Sequence, residues 1–104
     1  MTQEELKKLI SEMTVEEKVS QLTNSAAAVA RLGIPQYNWW NEALHGVARA
    51  GTATVFPQAT GLAAAFDADL IGKIGAVIAE EGRAKYNDAI RRDDHAQYYG
   101  LTYW

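Results

Sequence analysis

Apolar positions recur at helical spacing in three separate stretches of the chain. Leu6, Leu9, Ile10 and Met13 fall at i, i+3, i+4 and i+7, and Thr2 followed by Glu5 is a capping-box pair, so a short amphipathic helix is predicted to stop near Met13. Thr14 with Glu17 repeats the pair, and Val15, Val19 and Leu22 continue the spacing, which predicts a second helix beginning at once. The longest stripe is Leu70, Ile71, Ile74, Val77 and Ile78. Behind the N-cap residue Asp67, it predicts a helix from about Ala68 to about Tyr86. Gly72, Gly75 and Gly82 interrupt that helix at a cost of about 1 kcal/mol each relative to alanine, and close packing against another element would account for them.

The intervening segments follow a different pattern. Thr23 to Ala30 is small and polar, and "RLGIPQY" adds Gly33 and Pro35, so this stretch is a connector. "TATVFPQATGLAAAFD" predicts a short strand or extended segment near residues 53 to 56, then a brief helix between Leu62 and Phe66. "DAIRRDDHAQYYG" has no sustained apolar period and reads as a frayed helix end plus loop, whereas "GLTYW" begins like a strand. A long amphipathic helix between extended segments is the grammar of parallel α/β folds, yet one such cycle is present and no internal repeat follows it.

Composition narrows the classes of function. The 104 residues suit one domain or a piece of one, and 48% hydrophobic with 22% charged residues is ordinary for a globular protein. A formal net charge of -3 with no Lys/Arg-rich run offers nothing to a phosphate backbone, so nucleic acid is not an expected partner. There is no cysteine, hence no disulfide, thiolate metal site or thiol nucleophile. "MTQEELKKLISEM" lacks the apolar centre of a signal peptide or a membrane span, so a soluble chain with no membrane partner is expected and its localisation is left open.

Most motif-like features carry no chemistry. Gly72 and Gly75 give only G-x-x-G inside a predicted helix, without a third glycine or a G-K-[ST], so no nucleotide cofactor is expected. Asp93, Asp94 and His95 are consecutive, and consecutive side chains rarely converge on one ion, so a solvated loop and no metal is the expectation. Ser11, Ser20 and Ser25 have no G-x-S-x-G context.

The informative stretch is "YNWWNEALHG", Tyr37 to Gly46. One reading makes Trp39 and Trp40 core aromatics, with Asn38, Asn41 and Glu42 capping a helix that starts at Ala43. The other rests on the proximity of two aromatic faces, the Glu42 carboxylate and the His45 imidazole. In extended chain the two tryptophans point to opposite sides, so one is available to line a surface or cleft. A sugar stacks its C–H face on an aromatic ring and needs acceptors and donors for its hydroxyls, which such a set supplies.

The ordered series "MTVEEKVSQLTNSA", "RLGIPQYNWWNEALHGVARAG", "TVFPQATGLAAAFD" and "EEGRAKYNDAIRR…YYGLTYW" closely resembles the start of glycoside hydrolase family 3. The likeness is strongest to its β-xylosidase, α-arabinofuranosidase and β-glucosidase branch, and covers the chain from about Glu12 onward. It implies a retaining exo-glycosidase whose N-terminal domain is a (β/α)8 TIM-barrel-type domain, followed by an α/β sandwich. The expected fold is therefore α/β: residues 1–104 form an incomplete N-terminal part of such a barrel, helix-rich when isolated and cut within an early strand. The family's nucleophilic aspartate and acid/base glutamate align beyond Trp104, as do the arginine and lysine–histidine pair that hold the sugar. No catalytic residue is thus expected in this chain, and a complete barrel takes about 250 residues.

One family site residue carries over. The acid in the loop after the first barrel strand, which meets the non-reducing-end sugar, aligns with Glu42. In the xylosidase-like branch a glutamate stands where many glucosidases have an aspartate, and its extra methylene occupies space that a hexose CH2OH would need. Trp40 and His45 are further candidates for lining that subsite or holding its loop. The expected partner is an oligosaccharide or aryl glycoside bound by the full-length enzyme, and exposed barrel edges predict marginal stability or self-association of the short chain. The alternatives are a non-catalytic carbohydrate-binding module using Trp39, Trp40 and Glu42, and a helical interaction protein with no role in sugar binding.

Overall fold

In the computed structural model, which describes residues 1–104, both predicted capping boxes form. The Thr2 hydroxyl accepts from the Glu5 backbone N–H while the Glu5 carboxylate accepts from that of Thr2, starting α1 (Gln3–Glu12). Thr14 and Glu17 repeat the exchange and start α2 (Val15–Ser20). Extended backbone at Met13 and Thr14 separates the two helices, so the second cap is what ends the first helix.

The chain divides into two units, Met1–Tyr37 and Asn38–Trp104. In the first, Met13, Ala26 and Val29 are buried, and the apolar face of α1 faces a groove of about 430 Å3 whose lining includes Leu6, Leu9, Ile10, Leu32 and Ile34. The connector after α2 contains β1 (Ser25–Ala26), a 3-10 turn at Ala30–Leu32 and a Val29–Ile34 bridge, and it ends at β2 (Tyr37–Asn38), which pairs with β1.

Arg31 ties this connector back to α2. Its Nε donates to Glu17 Oε1 at 2.8 Å, and its Nη2 donates both to Glu17 Oε2 and to the Glu12 carbonyl. Hydrogen bonding from Arg31, with help from the Thr14 N–H, holds the Glu17 carboxyl below its ordinary value of 4.5. A lowered carboxyl pKa means the stabilisation is complete above the unfolded-state value and is lost as pH falls through the folded one. Exchange protection of the Thr14 and Glu17 amides should therefore fade as the solution is acidified below 4.5. In Arg31→Met the fading should begin at higher pH, and identical acid profiles for the two proteins would refute the link.

In the second unit, α3 (Ala59–Ala63) and α4 (Ala68–Arg91) are the regular elements. The brief helix predicted for Leu62–Phe66 lies about three residues earlier, directly after Pro57, and positive φ at Phe66 prevents it from continuing. The Asp67 carboxylate accepts from Leu70 N at 2.9 Å, as its N-cap role predicts. α4 runs five residues past the predicted Tyr86. Ala89 is buried at 1% exposure, and Asp88 pairs with Arg91 and Arg92 around the last turn, so packing and charge sustain what the apolar period does not.

Close packing explains only one of the three helix glycines. A Cβ on Gly82 would stand 2.2 Å from the Tyr103 hydroxyl, whereas Gly72 and Gly75 face open space. The first half of the α4 stripe, including Leu70, Ile71 and Val77, is correspondingly exposed.

Of the short strand or extended segment expected near residues 53 to 56, no strand forms. No partner strand adjoins it, and its backbone donors go elsewhere: Thr54 N to the Glu81 carboxylate and Phe56 N to the His45 carbonyl. "GLTYW" contributes a single parallel bridge, Asn41 with Tyr103, backed by Trp104 N donating to the Asn41 carbonyl at 3.3 Å. Helices thus dominate, and the parallel pairing expected of an α/β chain is limited to that bridge and a local one between Leu44 and Gly46. No helix is long and apolar enough to cross a membrane.

Candidate functional site

The helix expected at Ala43 under the capping reading is absent, and residues 39–51 form a loop of turns and isolated bridges. Its first turn is made by Asn38, whose Oδ1 accepts from Trp40 N at 2.9 Å. Asn41 follows with no solvent exposure at all. Its Oδ1 accepts from Gly100 N at 2.8 Å, while its Nδ2 donates to Asn38 O at 2.9 Å and to Thr102 Oγ1 at 3.3 Å. Asn41 is therefore no helix cap: it joins the loop to a segment about sixty residues away, and sequence spacing carries no signal of that partner.

Around this pin the candidate residues are arranged unequally. Trp39 and Trp40 are both about half exposed, so neither is a core aromatic. The Trp40 ring meets Trp104 edge-on, with centroids 5.5 Å apart and planes at 80°. The Glu42 side chain is only 17% exposed, and its Oε1 lies 3.2 Å from Arg49 Nε. The Arg49 guanidinium lies over the Tyr98 ring, 5.4 Å from its centroid. Tyr98 in turn donates its backbone N–H to the Trp40 carbonyl at 3.1 Å, so one residue underlies both Trp40 and the Glu42 pair. Its φ of 72° is left-handed, a cost of about 1–2 kcal/mol for a residue with a Cβ, which the surrounding contacts offset.

No hydrogen bond or ion pair links the His45 side chain to this group. The residue is half-buried and anchored through its backbone, its carbonyl accepting from Phe56 N at 2.8 Å. The next residue, Gly46, has φ of 109° and lies so close to the Thr54 carbonyl that a Cβ would stand 2.3 Å from that oxygen.

Two α4 side chains, one turn apart, hold the far part of the loop. The Glu81 carboxylate accepts from Thr54 N at 3.1 Å and from Thr54 Oγ1 at 2.7 Å. Lys85 Nζ donates to the Val47 carbonyl at 2.6 Å and to that of Ala50. Partial burial pushes the Lys85 ammonium pKa down and the nearby Glu81 charge opposes that shift. Sequence reasoning missed Arg49, Tyr98, Glu81 and Lys85. The i,i+4 spacing of Glu81 and Lys85 is visible, but it predicts a pair with each other rather than clamps on a distant loop.

Chemically, the loop offers a poorly solvated carboxylate acceptor, a guanidinium donor and exposed indole faces. The Asp93–His95 stretch is a turn in which His95 Nε2 lies 3.0 Å from Asp93 Oδ1 and Asp94 accepts from Ala96 N.

Comparison with known proteins gives these groups a context. The chain is 43% identical over 109 residues to β-xylosidase/α-L-arabinofuranosidase 2 of Medicago sativa subsp. varia, covering 95% of this chain and 13% of that protein. It is 42% identical over 106 residues to β-D-xylosidase 1 of Arabidopsis thaliana, covering 92% and 13%. With an exo-1,4-β-xylosidase of Emericella nidulans it shares 42% identity over 112 residues, covering 97% and 14%. The chain thus spans little more than one eighth of the length of these relatives. No solved structure matches it. Residues 3–88, most of the chain and all of the loop just described, match the glycosyl hydrolase family 3 N-terminal domain, and the chain belongs to that family.

Proposed function

We propose that this chain is the N-terminal portion of a retaining exo-glycosidase that removes β-D-xylosyl, or β-D-glucosyl, units from the non-reducing ends of plant-derived oligosaccharides. Its 104 residues would be the first part of a TIM-barrel-type domain, with Glu42 accepting a hydroxyl of the terminal sugar and Trp40 lining the same subsite. His45 would hold the loop rather than touch the sugar. The observation that carries this reading is the Glu42 carboxylate, largely withdrawn from water yet met by a single ion-pair partner, on a loop that belongs to a glycosidase family. A charge so placed has acceptor capacity left for a ligand.

Retaining hydrolysis requires two carboxyl groups about 5 to 5.5 Å apart across the scissile bond. Glu81 is committed to Thr54, and Asp93 and Asp94 belong to a surface turn, so no second carboxylate is offered beside Glu42. The 104-residue chain alone should therefore release no nitrophenol from nitrophenyl β-D-xyloside or β-D-glucoside. In the complete polypeptide, read from the gene beyond codon 104, Glu42→Asp should move the xyloside-to-glucoside preference at least about tenfold toward glucoside. One methylene in a closed pocket discriminates by about 1–3 kcal/mol. Turnover by the short chain, or an unchanged preference in Glu42→Asp, would overturn the assignment.

A second reading is favoured by the exposure of both adjacent tryptophans: a carbohydrate-binding module using Trp39, Trp40 and Glu42 as a platform. Such a platform gains affinity with each further sugar it stacks, whereas a terminal subsite is indifferent to chain length. Calorimetry with xylobiose through xylohexaose separates the two.

A further inference from the structure

We infer that Arg49 is a direct sugar-hydroxyl donor in the Glu42 subsite, so that Glu42 and Arg49 together bind two adjacent hydroxyls of one pyranose; this rests on the sugar-binding role proposed for Glu42. The ion pair between them uses Arg49 Nε and Glu42 Oε1. Neither terminal amino group of Arg49 and neither oxygen of Glu42 makes a hydrogen bond within the chain, which leaves donors and acceptors side by side. Adjacent equatorial hydroxyls of a pyranose are separated by about one hydrogen-bond length. One can donate to the carboxylate while its neighbour accepts from the guanidinium, and each charge-assisted bond is stronger than its neutral counterpart.

The placement of Arg49 also indicates a ligand. It is more than half exposed at its own position, so burial does not hold it there, and a long side chain left in water gains little from one exposed ion pair. Yet the plane of its guanidinium is fixed from two sides, by Glu42 and by the Tyr98 ring. Tyr98 itself is held in left-handed backbone by the hydrogen bond to Trp40. A strained aromatic that sits under an arginine and is itself fixed through the Trp40 backbone carbonyl is a preorganised arrangement, with donor and acceptor in one place.

The test is a titration of the isotope-labelled complete polypeptide with the hydrolysis-resistant methyl 1-thio-β-D-xylopyranoside, followed by NMR, in the native protein and in Arg49→Met, Arg49→Lys and Glu42→Ala. Saturable shifts are expected at the Glu42 amide and, with the same midpoint, at the Arg49 side-chain N–H resonances. Arg49→Met and Glu42→Ala should each weaken binding at least tenfold. Arg49→Lys, which keeps the charge but loses the planar fork, should fall between. If Arg49→Met proves unfolded by circular dichroism, the lysine variant and the native side-chain resonances still decide the question. Native affinity in Arg49→Met alongside loss in Glu42→Ala would overturn the inference and leave the Glu42 reading standing. Weakened binding in Arg49→Met without movement of the native Arg49 side-chain resonances would also overturn it, because Arg49 would then act only by positioning Glu42. If the native polypeptide binds no xyloside at all, the inference falls, and the Glu42→Asp preference in the complete polypeptide judges the wider reading separately.

Discussion

Asn41→Ala should lower the stability of the 38–104 unit by about 2–6 kcal/mol. The side chain is fully buried and makes three hydrogen bonds, and its loss strands the buried Gly100 N–H. An orphaned buried donor alone costs about 1–3 kcal/mol, and each of the other bonds contributes about 0.5–1.5 kcal/mol. Trp39, Trp40 and Trp104 all belong to this unit, so tryptophan fluorescence during urea unfolding reports on it directly. Asn41→Asp is the informative companion. It keeps an oxygen for Gly100 but replaces the donor facing Asn38 O and Thr102 Oγ1 with a second acceptor, so it should also destabilise despite its matching shape. A loss under about 1 kcal/mol in both variants would show that Asn41 is not the pin of the loop.

Gly46→Ala should be comparably damaging, by about 3 kcal/mol or more, for a different reason. A φ of 109° lies outside the region that L-residues adopt, and the new Cβ would stand 2.3 Å from a backbone oxygen. That oxygen belongs to Thr54, whose amide and hydroxyl are both bound by Glu81, so the neighbouring strand of chain has no freedom to retreat. The loop should detach locally, and exchange protection of the Phe56 amide, bonded to the His45 carbonyl, is the direct readout. Gly82→Ala makes a useful contrast. Its Cβ would meet the Tyr103 hydroxyl and ring rather than the Thr54 carbonyl, so Phe56 protection should survive there. Equal protection in native protein and Gly46→Ala would refute the account.

These two positions also show how the site was and was not legible beforehand. Local hydrogen-bond chemistry between residues three apart was readable: both capping boxes and the Asp67 cap form as the residue types and spacing require. Glu42 and Trp40 were recognisable as candidates because their residue types suit a sugar and the surrounding motif is specific. Arg49 was not, because nothing in its seven-residue separation from Glu42 says that a loop will fold it back over Tyr98. The capping reading of Asn41 fails for a related reason: an asparagine beside a turn is usually a cap, and only a partner near residue 100 makes it a buried bridge.

The amino-acid sequence by itself determined α1, α2 and α4 with their capped starts, and the family of the chain, because capping and amphipathic spacing act over a few residues and an ordered set of motifs needs no coordinates. Tertiary structure alone decided where the backbone donors of residues 53 to 56 would go and how far α4 would run. It also decided which glycine is tightly packed and which side chains surround Glu42. Those outcomes depend on contacts between residues tens of positions apart, and on desolvation that exists only once the chain has closed around them.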